Sequence, residues 1–420
     1  MNSDNPLPKL ARPTWIPHWA LLTGHAAHGL SWLLLILLGL RGLTGLSLPG
    51  LAWVHLVALG WLTLVSLAVM IHVMKGMADV EWPNENLARW SLLPYGLGVA
   101  GIVTGFWTSS FVLLGGAAEL VGVSLAVYLA LALTALARYK RFAEANPSVV
   151  RAFTIVLVML ALTALLGIGM AFALGHGSPA WLLTVAPPIH AHLGGLGWLS
   201  ILVLGVSVNT VKPITGGRSP YIALHITASS AAFAAVVCLA LGLAGVPWLT
   251  GLGAGLAVLG ALVYLLDLAL VLRRAQVRHR PPQAFLGCAA LYYMVAACLG
   301  VGVLLGHAEW MSAYAFAALI GWLGQMVIAH MHHIGVRVLA TLARGEEDET
   351  PPNALLTAGL SWATFASFEL AIAGVVIALL LDRAALVPLF GALGALGWIL
   401  MSTNFARAWQ RANRPESPRI

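Results

Sequence analysis

An all-α polytopic membrane protein is the fold class this sequence predicts, and three observations predict it. Of 420 residues, 60% are hydrophobic and 9% are charged, with a mean hydropathy of +0.90. Soluble domains carry about a quarter charged residues. The charges also gather in short stretches, leaving runs of about 20 apolar residues, which as helices cross a bilayer core of roughly 30 Å. Lysine and arginine, finally, are sharply partitioned between alternate loops. This composition excludes a secreted disulfide scaffold, a nucleic-acid binder and a disordered chain. The net charge of +7 belongs with the loop charges that hold topology, not with an anionic partner. Cys238, Cys288 and Cys298 lie in apolar runs without C-x-x-C spacing and read as small buried hydrophobes.

Residues 1–17 are polar and proline-marked, lack the apolar core and cleavage site of a signal peptide, and read as a cytoplasmic tail. Twelve spans follow, at about 18–40, 51–75, 91–113, 115–137, 149–174, 187–211, 220–241, 247–272, 284–306, 312–336, 355–381 and 385–408. They make one transmembrane domain over 18–408, with a C-tail at 409–420 and no room for a soluble domain. Placing both tails and every even-to-odd loop on one side gives that side 20 of the 22 basic residues; only Arg41 and Arg383 fall opposite. By the positive-inside rule both termini are cytoplasmic, in a bacterial-type inner membrane. The acidic run Glu346–Glu349 reads as a solvated linker.

The chain repeats itself. H-L-V-A-L-G-W-L-T-L starts at His55, H-L-G-G-L-G-W-L-S-I at His192, and A-L-I-G-W-L surrounds Trp322. The pairs Gly60-Trp61, Gly197-Trp198 and Gly321-Trp322 are separated by 137 and 124 residues, each interval holding four spans. Three parallel groups of four helices are therefore expected, over about 18–138, 149–272 and 284–408. Glycine and tryptophan also recur in membrane helices for packing alone, and a fourth L-G-W at Trp398 breaks the period.

Fourteen histidines are many for so apolar a chain. A lone intramembrane histidine is often a packing residue; a cluster marks a cofactor, ion or proton path. The topology sorts them into two layers. His55, His190 and His192 are near the outer face. His25, His28, His72, His225, His330, His332 and His333 are towards the cytoplasmic face. His25 and His28 share a helical face at i,i+3, as do His330 and His333. His72 and His333 each follow a repeat tryptophan by eleven residues, hence at equal depth on spans 2 and 10. Paired imidazoles from facing helices suit bis-histidine haem iron; three converging ones, from spans 1, 7 and 10, suit copper. Zinc is disfavoured because no cysteine or carboxylate accompanies the group. Glu119, Asp267 and Glu369 are intramembrane acids, open to proton-relay or structural roles.

Twelve spans, cytoplasmic termini, groups of four helices and histidines on spans 2, 6, 7 and 10 resemble the catalytic subunit of haem-copper oxidases and nitric oxide reductases. The segments from His55 and His190 are also similar to the NnrS family, twelve-span haem- and copper-containing proteins of nitric oxide metabolism, whose Gly-x-x-x-Gly-Arg-like loop Lys212–Arg218 loosely matches. The resemblance implies a haem-copper oxidase-like fold, haem b and copper as cofactors, and a diatomic gas or an electron-donor protein as partner beside membrane lipid. It leaves room for an oligomer. His55 and His192 match the family's outer positions on spans 2 and 6. Span 10 has Phe316 where the oxidases have ligands, and span 7 has only His225, so oxygen reduction with proton pumping is not implied. Cofactor ligands are expected among His55, His192, His72, His330 and His333, and metal ligands among His25, His28, His190, His225 and His332. A proton-coupled transporter with relay histidines is the competing reading.

Overall fold

A computed structural model describes residues 16–41, 47–78, 80–139, 147–177, 179–345 and 350–414. Residues 1–15 of the N-tail, Lys140 and Arg141, the acidic run 346–349 and residues 415–420 of the C-tail lie outside the described residues. Regular structure among the described residues is helical, with no strand. In chain order the long helices are α1 (His18–Leu40), α2 (Leu48–Met77), α3 (Glu85–Thr108), α4 (Phe111–Arg138), α5 (Val150–His176) and α6 (Ala186–Thr215). Then come α7 (Ile222–Leu243), α8 (Pro247–Arg273), α9 (Pro281–Leu304), α10 (Ala308–Arg344), α11 (Ala358–Leu380) and α12 (Ala384–Ala412). All but α3 make up the eleven that, among the described residues, are long and apolar enough to cross a membrane. Leu22, Leu97, Leu165, Leu262 and Leu370 are exposed on the outside of the bundle. Such a surface needs an apolar solvent.

Helix α3 departs most from the expected span at 91–113. It starts earlier because the Asn84 side chain accepts from the Leu87 N–H at 3.0 Å, and Glu85 opens the first turn at the positive end of the helix dipole. It stops earlier because Ser109 adopts a left-handed backbone, φ 57°, and the Ser110 N–H returns to the Gly105 carbonyl at 2.9 Å. Residues expected to finish span 3 therefore begin α4. Pro94, Tyr95 and several glycines dilute the apolar character of α3, but no charge occurs from Trp90 to Thr108.

The Gly-Trp repeats share one backbone feature. Midway along α2, α6 and α10 the helix widens to π geometry over Leu56–Thr63, Leu193–Ser200 and Ala317–Gly324, eight residues each. Single π turns are the usual form, often at functional sites. The three segments touch one another at the middle of the bundle. Trp198 Nε1 donates to Thr63 Oγ1 at 3.0 Å, and Trp322 Nε1 donates to Ser200 Oγ at 2.9 Å. Thr63, Ser200 and Gly324 each end their segment. The third contact closes the ring without a hydroxyl: a Cβ on Gly324 would lie 2.9 Å from the Trp61 ring. Each tryptophan thus meets the last residue of a neighbouring segment.

Candidate functional site

The residue just before the π segment is His55 on α2 and His192 on α6, and Phe316 in the corresponding place on α10. Phe316 is buried and stacks on Trp53 at 5.7 Å, which fits packing. The histidines differ in what holds each ring nitrogen, and that difference sorts them. A carbonyl oxygen only accepts, so a nitrogen beside one carries the hydrogen, and in neutral imidazole the other nitrogen keeps its lone pair.

His55 Nδ1 lies 2.8 Å from the Leu51 carbonyl one turn earlier on α2. His190 Nδ1 lies 2.9 Å from the Thr163 carbonyl on α5. Both rings therefore hold Nε2 as a free lone pair. Their centres are 6.4 Å apart and their planes 22° from parallel. Phe106 flanks His55 at 4.9 Å. Gly167 admits the His190 ring, since a Cβ there would stand 3.0 Å from its Cε1. His192 differs: with Nδ1 at 2.7 Å from the Pro188 carbonyl, its Nε2 accepts from the Tyr314 hydroxyl at 3.4 Å. The outer neighbour of His55 is thus His190, where the resemblance points to His192.

The inner histidines are distributed among separate partners. His330 Nδ1 meets the Met326 carbonyl at 2.7 Å, and its Nε2 accepts from the Thr210 hydroxyl at 2.8 Å. The Ser402 hydroxyl spends its hydrogen on the Trp398 carbonyl, so it accepts from His25 Nε2 at 2.8 Å. His28 is buried; it accepts at Nε2 from Trp32 Nε1 and stacks on Trp61 at 3.7 Å. His332 is buried between Phe285 and Phe405, with Nδ1 at 2.8 Å from the Ile328 carbonyl and Nε2 without a partner. It sits with half-buried His333 in a short π segment, Met331–Gly335. His72 is half-buried near the end of α2. His225 Nδ1 approaches the buried Asp267 carboxylate at 3.4 Å. No group of three or more His, Cys, Asp or Glu side chains able to hold a metal occurs among the described residues.

Of the other intramembrane acids, Glu119 is exposed on α4, and Glu369 on α11 keeps one buried carboxylate oxygen without a hydrogen bond. Sequence reasoning did not single out Tyr314, Thr210, Thr163 or Gly167. No family model matches the chain, and no curated protein is significantly similar to it.

Proposed function

We propose that this chain is an integral membrane haem or metal protein of haem-copper oxidase-like, NnrS-like type, with His55 and His190 as the ligand pair. Twelve crossings, in three parallel groups of four around the π segments, and both termini on the cytoplasmic side complete the reading. The observation that carries it is the pairing of two imidazoles whose Nδ1 atoms are held by backbone carbonyls while both Nε2 lone pairs stay free. Histidine ligands of metals characteristically donate their second nitrogen in this way, which fixes the tautomer and raises basicity.

The residues fit the group. Two imidazoles sharing one metal at about 2.0–2.1 Å per nitrogen have ring centres roughly 6 Å apart, close to the 6.4 Å seen. When bound between the two imidazoles, haem iron would supply one-electron transfer, and a diatomic gas such as nitric oxide would bind only where one imidazole gives up its place. The chain's own part is to orient: Leu51 and Thr163 fix the two rings, Gly167 leaves space for one, and Phe106 covers the other. His192, already holding the Tyr314 hydroxyl, serves as a polar neighbour and not a ligand.

The test is a visible spectrum and metal analysis of detergent-purified protein from haem-replete cells. A Soret band that disappears in His55→Ala and in His190→Ala supports the reading. A preparation that stays colourless and metal-free, even after haem is added, overturns it.

A further inference from the structure

The basic connections at the opposite end of the bundle are built into one piece. Between Glu144 and Glu309 the sequence holds a single acidic residue, Asp267, which is buried and accepts from the Ser219 hydroxyl. Lys212 and Arg218 at the α6–α7 connection, and Arg273, Arg274 and Arg278 at the α8–α9 connection, are all exposed. None of the five makes an ion pair among the described residues. The Gln276 and Val277 N–H groups both donate to the Thr215 carbonyl, at 2.7 and 3.1 Å, which ties the two connections together. Gly216 ends α6 in a left-handed turn, φ 71°, and the Gly217 N–H donates to the Thr215 hydroxyl at 3.0 Å. Gly217 lies against the end of α8, where a Cβ would stand 2.9 Å from the Val271 carbonyl oxygen. Gln283 braces the far side, donating to the Val277 carbonyl at 2.8 Å and accepting from Arg280 at 2.7 Å.

Holding topology needs a number of positive charges and no particular arrangement of them. Here five like charges are fixed on a braced surface with no exposed carboxylate among them, which is unfavourable until an anion covers it. The position of the surface identifies the anion. Ile222 and Ile226 on α7, and Leu262 and Leu266 on α8, are exposed next to it, Leu266 about 10 Å along the helix from Arg273. Tyr221, exposed just before α7, is the residue type that sits at headgroup level. Free phosphate or an acidic soluble protein leaves that apolar wall unused. A phospholipid uses both parts: its phosphate accepts charge-assisted hydrogen bonds from the cations, and its acyl chains lie on the wall.

We propose that this surface is a binding site for one anionic phospholipid of the adjoining leaflet, its phosphate on the five cations and its chains on α7 and α8. The site lies apart from the His55–His190 pair and does not rest on it.

The full-length protein is reconstituted in mixed phosphatidylglycerol and phosphatidylcholine bilayers and recovered in mild detergent, and the lipid it retains is counted by native mass spectrometry. One tightly held phosphatidylglycerol per chain is expected, preferred about tenfold or more over phosphatidylcholine. The combined variant Arg273→Gln, Arg274→Gln, Arg278→Gln should remove most of that preference, because each cation near a membrane surface is worth about fivefold. Gly217→Ala keeps every charge, and with it the topology signal, but forces the α6–α7 connection off the end of α8; it should lower the preference as well. Arg407→Gln with Arg414→Gln, exposed cations at the end of α12, should leave it unchanged. Helical circular dichroism and the response of a C-terminal reporter should be the same in all of them. Equal loss in the α12 pair, full retention in the triple variant or in Gly217→Ala, or no retained phosphatidylglycerol at all overturns the proposal. So does release of the lipid by millimolar inorganic phosphate at constant ionic strength, which would make free phosphate the occupant.

Discussion

At the scale of single residues, the fate of one lone pair separates ligand candidates from packing histidines. His192, His330 and His28 spend Nε2 on Tyr314, Thr210 and Trp32, whereas His55 and His190 do not. Iron per protein and the visible spectrum should therefore collapse in His55→Ala and His190→Ala and survive in His192→Ala. Equal loss in all three would reassign the site to a cluster. Gly167→Ala offers a subtler test, because its methyl would press on Cε1 of His190 at 3.0 Å. The ring must move by a few tenths of an ångström, so the spectrum should shift while the protein still folds. The candidates themselves were legible in the chain, since intramembrane histidines stand out in any apolar sequence. The choice between His190 and His192 was not. It depends on a carbonyl of Thr163, 27 residues away on another helix, and on Tyr314, 122 residues away.

At the scale of elements, the Gly-Trp period was visible in sequence, but the π geometry was not. An i→i+5 turn inserts about one residue into a 3.6-residue turn, which rotates everything beyond it by roughly 100°. The first π segments sit in the same register in α2 and α10 and so turn His72 and His333 alike; what parts their facing is the second π segment of α10 at Met331–Gly335, which contains His332 and His333. The tryptophan ring gives this scale its own test. Trp198→Phe strips the hydrogen bond to Thr63 at 3.0 Å and leaves a buried hydroxyl and a small void, costing about 1–3 kcal/mol. In a double-mutant cycle with Thr63→Val the two changes should couple by about 0.5–1.5 kcal/mol, read from thermal melts in detergent. Simple additivity would mean that the contact contributes nothing. Gly324→Ser, which would give the third segment its hydroxyl, should destabilise instead, because the Trp61 ring already occupies that space.

At the scale of the whole molecule, the membrane class was legible because burial in lipid requires long apolar runs whatever the packing. The ends of α3 were not, because they depend on Asn84 as a cap and Ser109 as a left-handed stop. That helix decides the topology. Among the described residues eleven helices meet the length and apolarity expected of a crossing, and an odd number would put the two termini on opposite sides. Helix α3 has 24 residues, about 36 Å at 1.5 Å per residue, with its charges Glu85 and Arg89 confined to the first turns. Only Ser109 and Ser110 separate it from α4, and the two pack along their length as a tight hairpin. On the twelve-crossing reading proposed above, a helix bound this closely to a 28-residue span crosses with it. The basic residues agree, since twelve crossings leave Arg41 and Arg383 alone on the side opposite the other twenty. Parity thus becomes a measurement. A C-terminal reporter active only outside the cytoplasm should stay silent, as should one at the N-terminus. In a variant freed of Cys238, Cys288 and Cys298, Ser110→Cys should react with a membrane-impermeant maleimide added from outside, on the same side as Arg383→Cys. Labelling of Ser110→Cys only after the membrane is opened, together with an active C-terminal reporter, would mean that α3 does not cross and that the layers assigned to every histidine after it must be inverted.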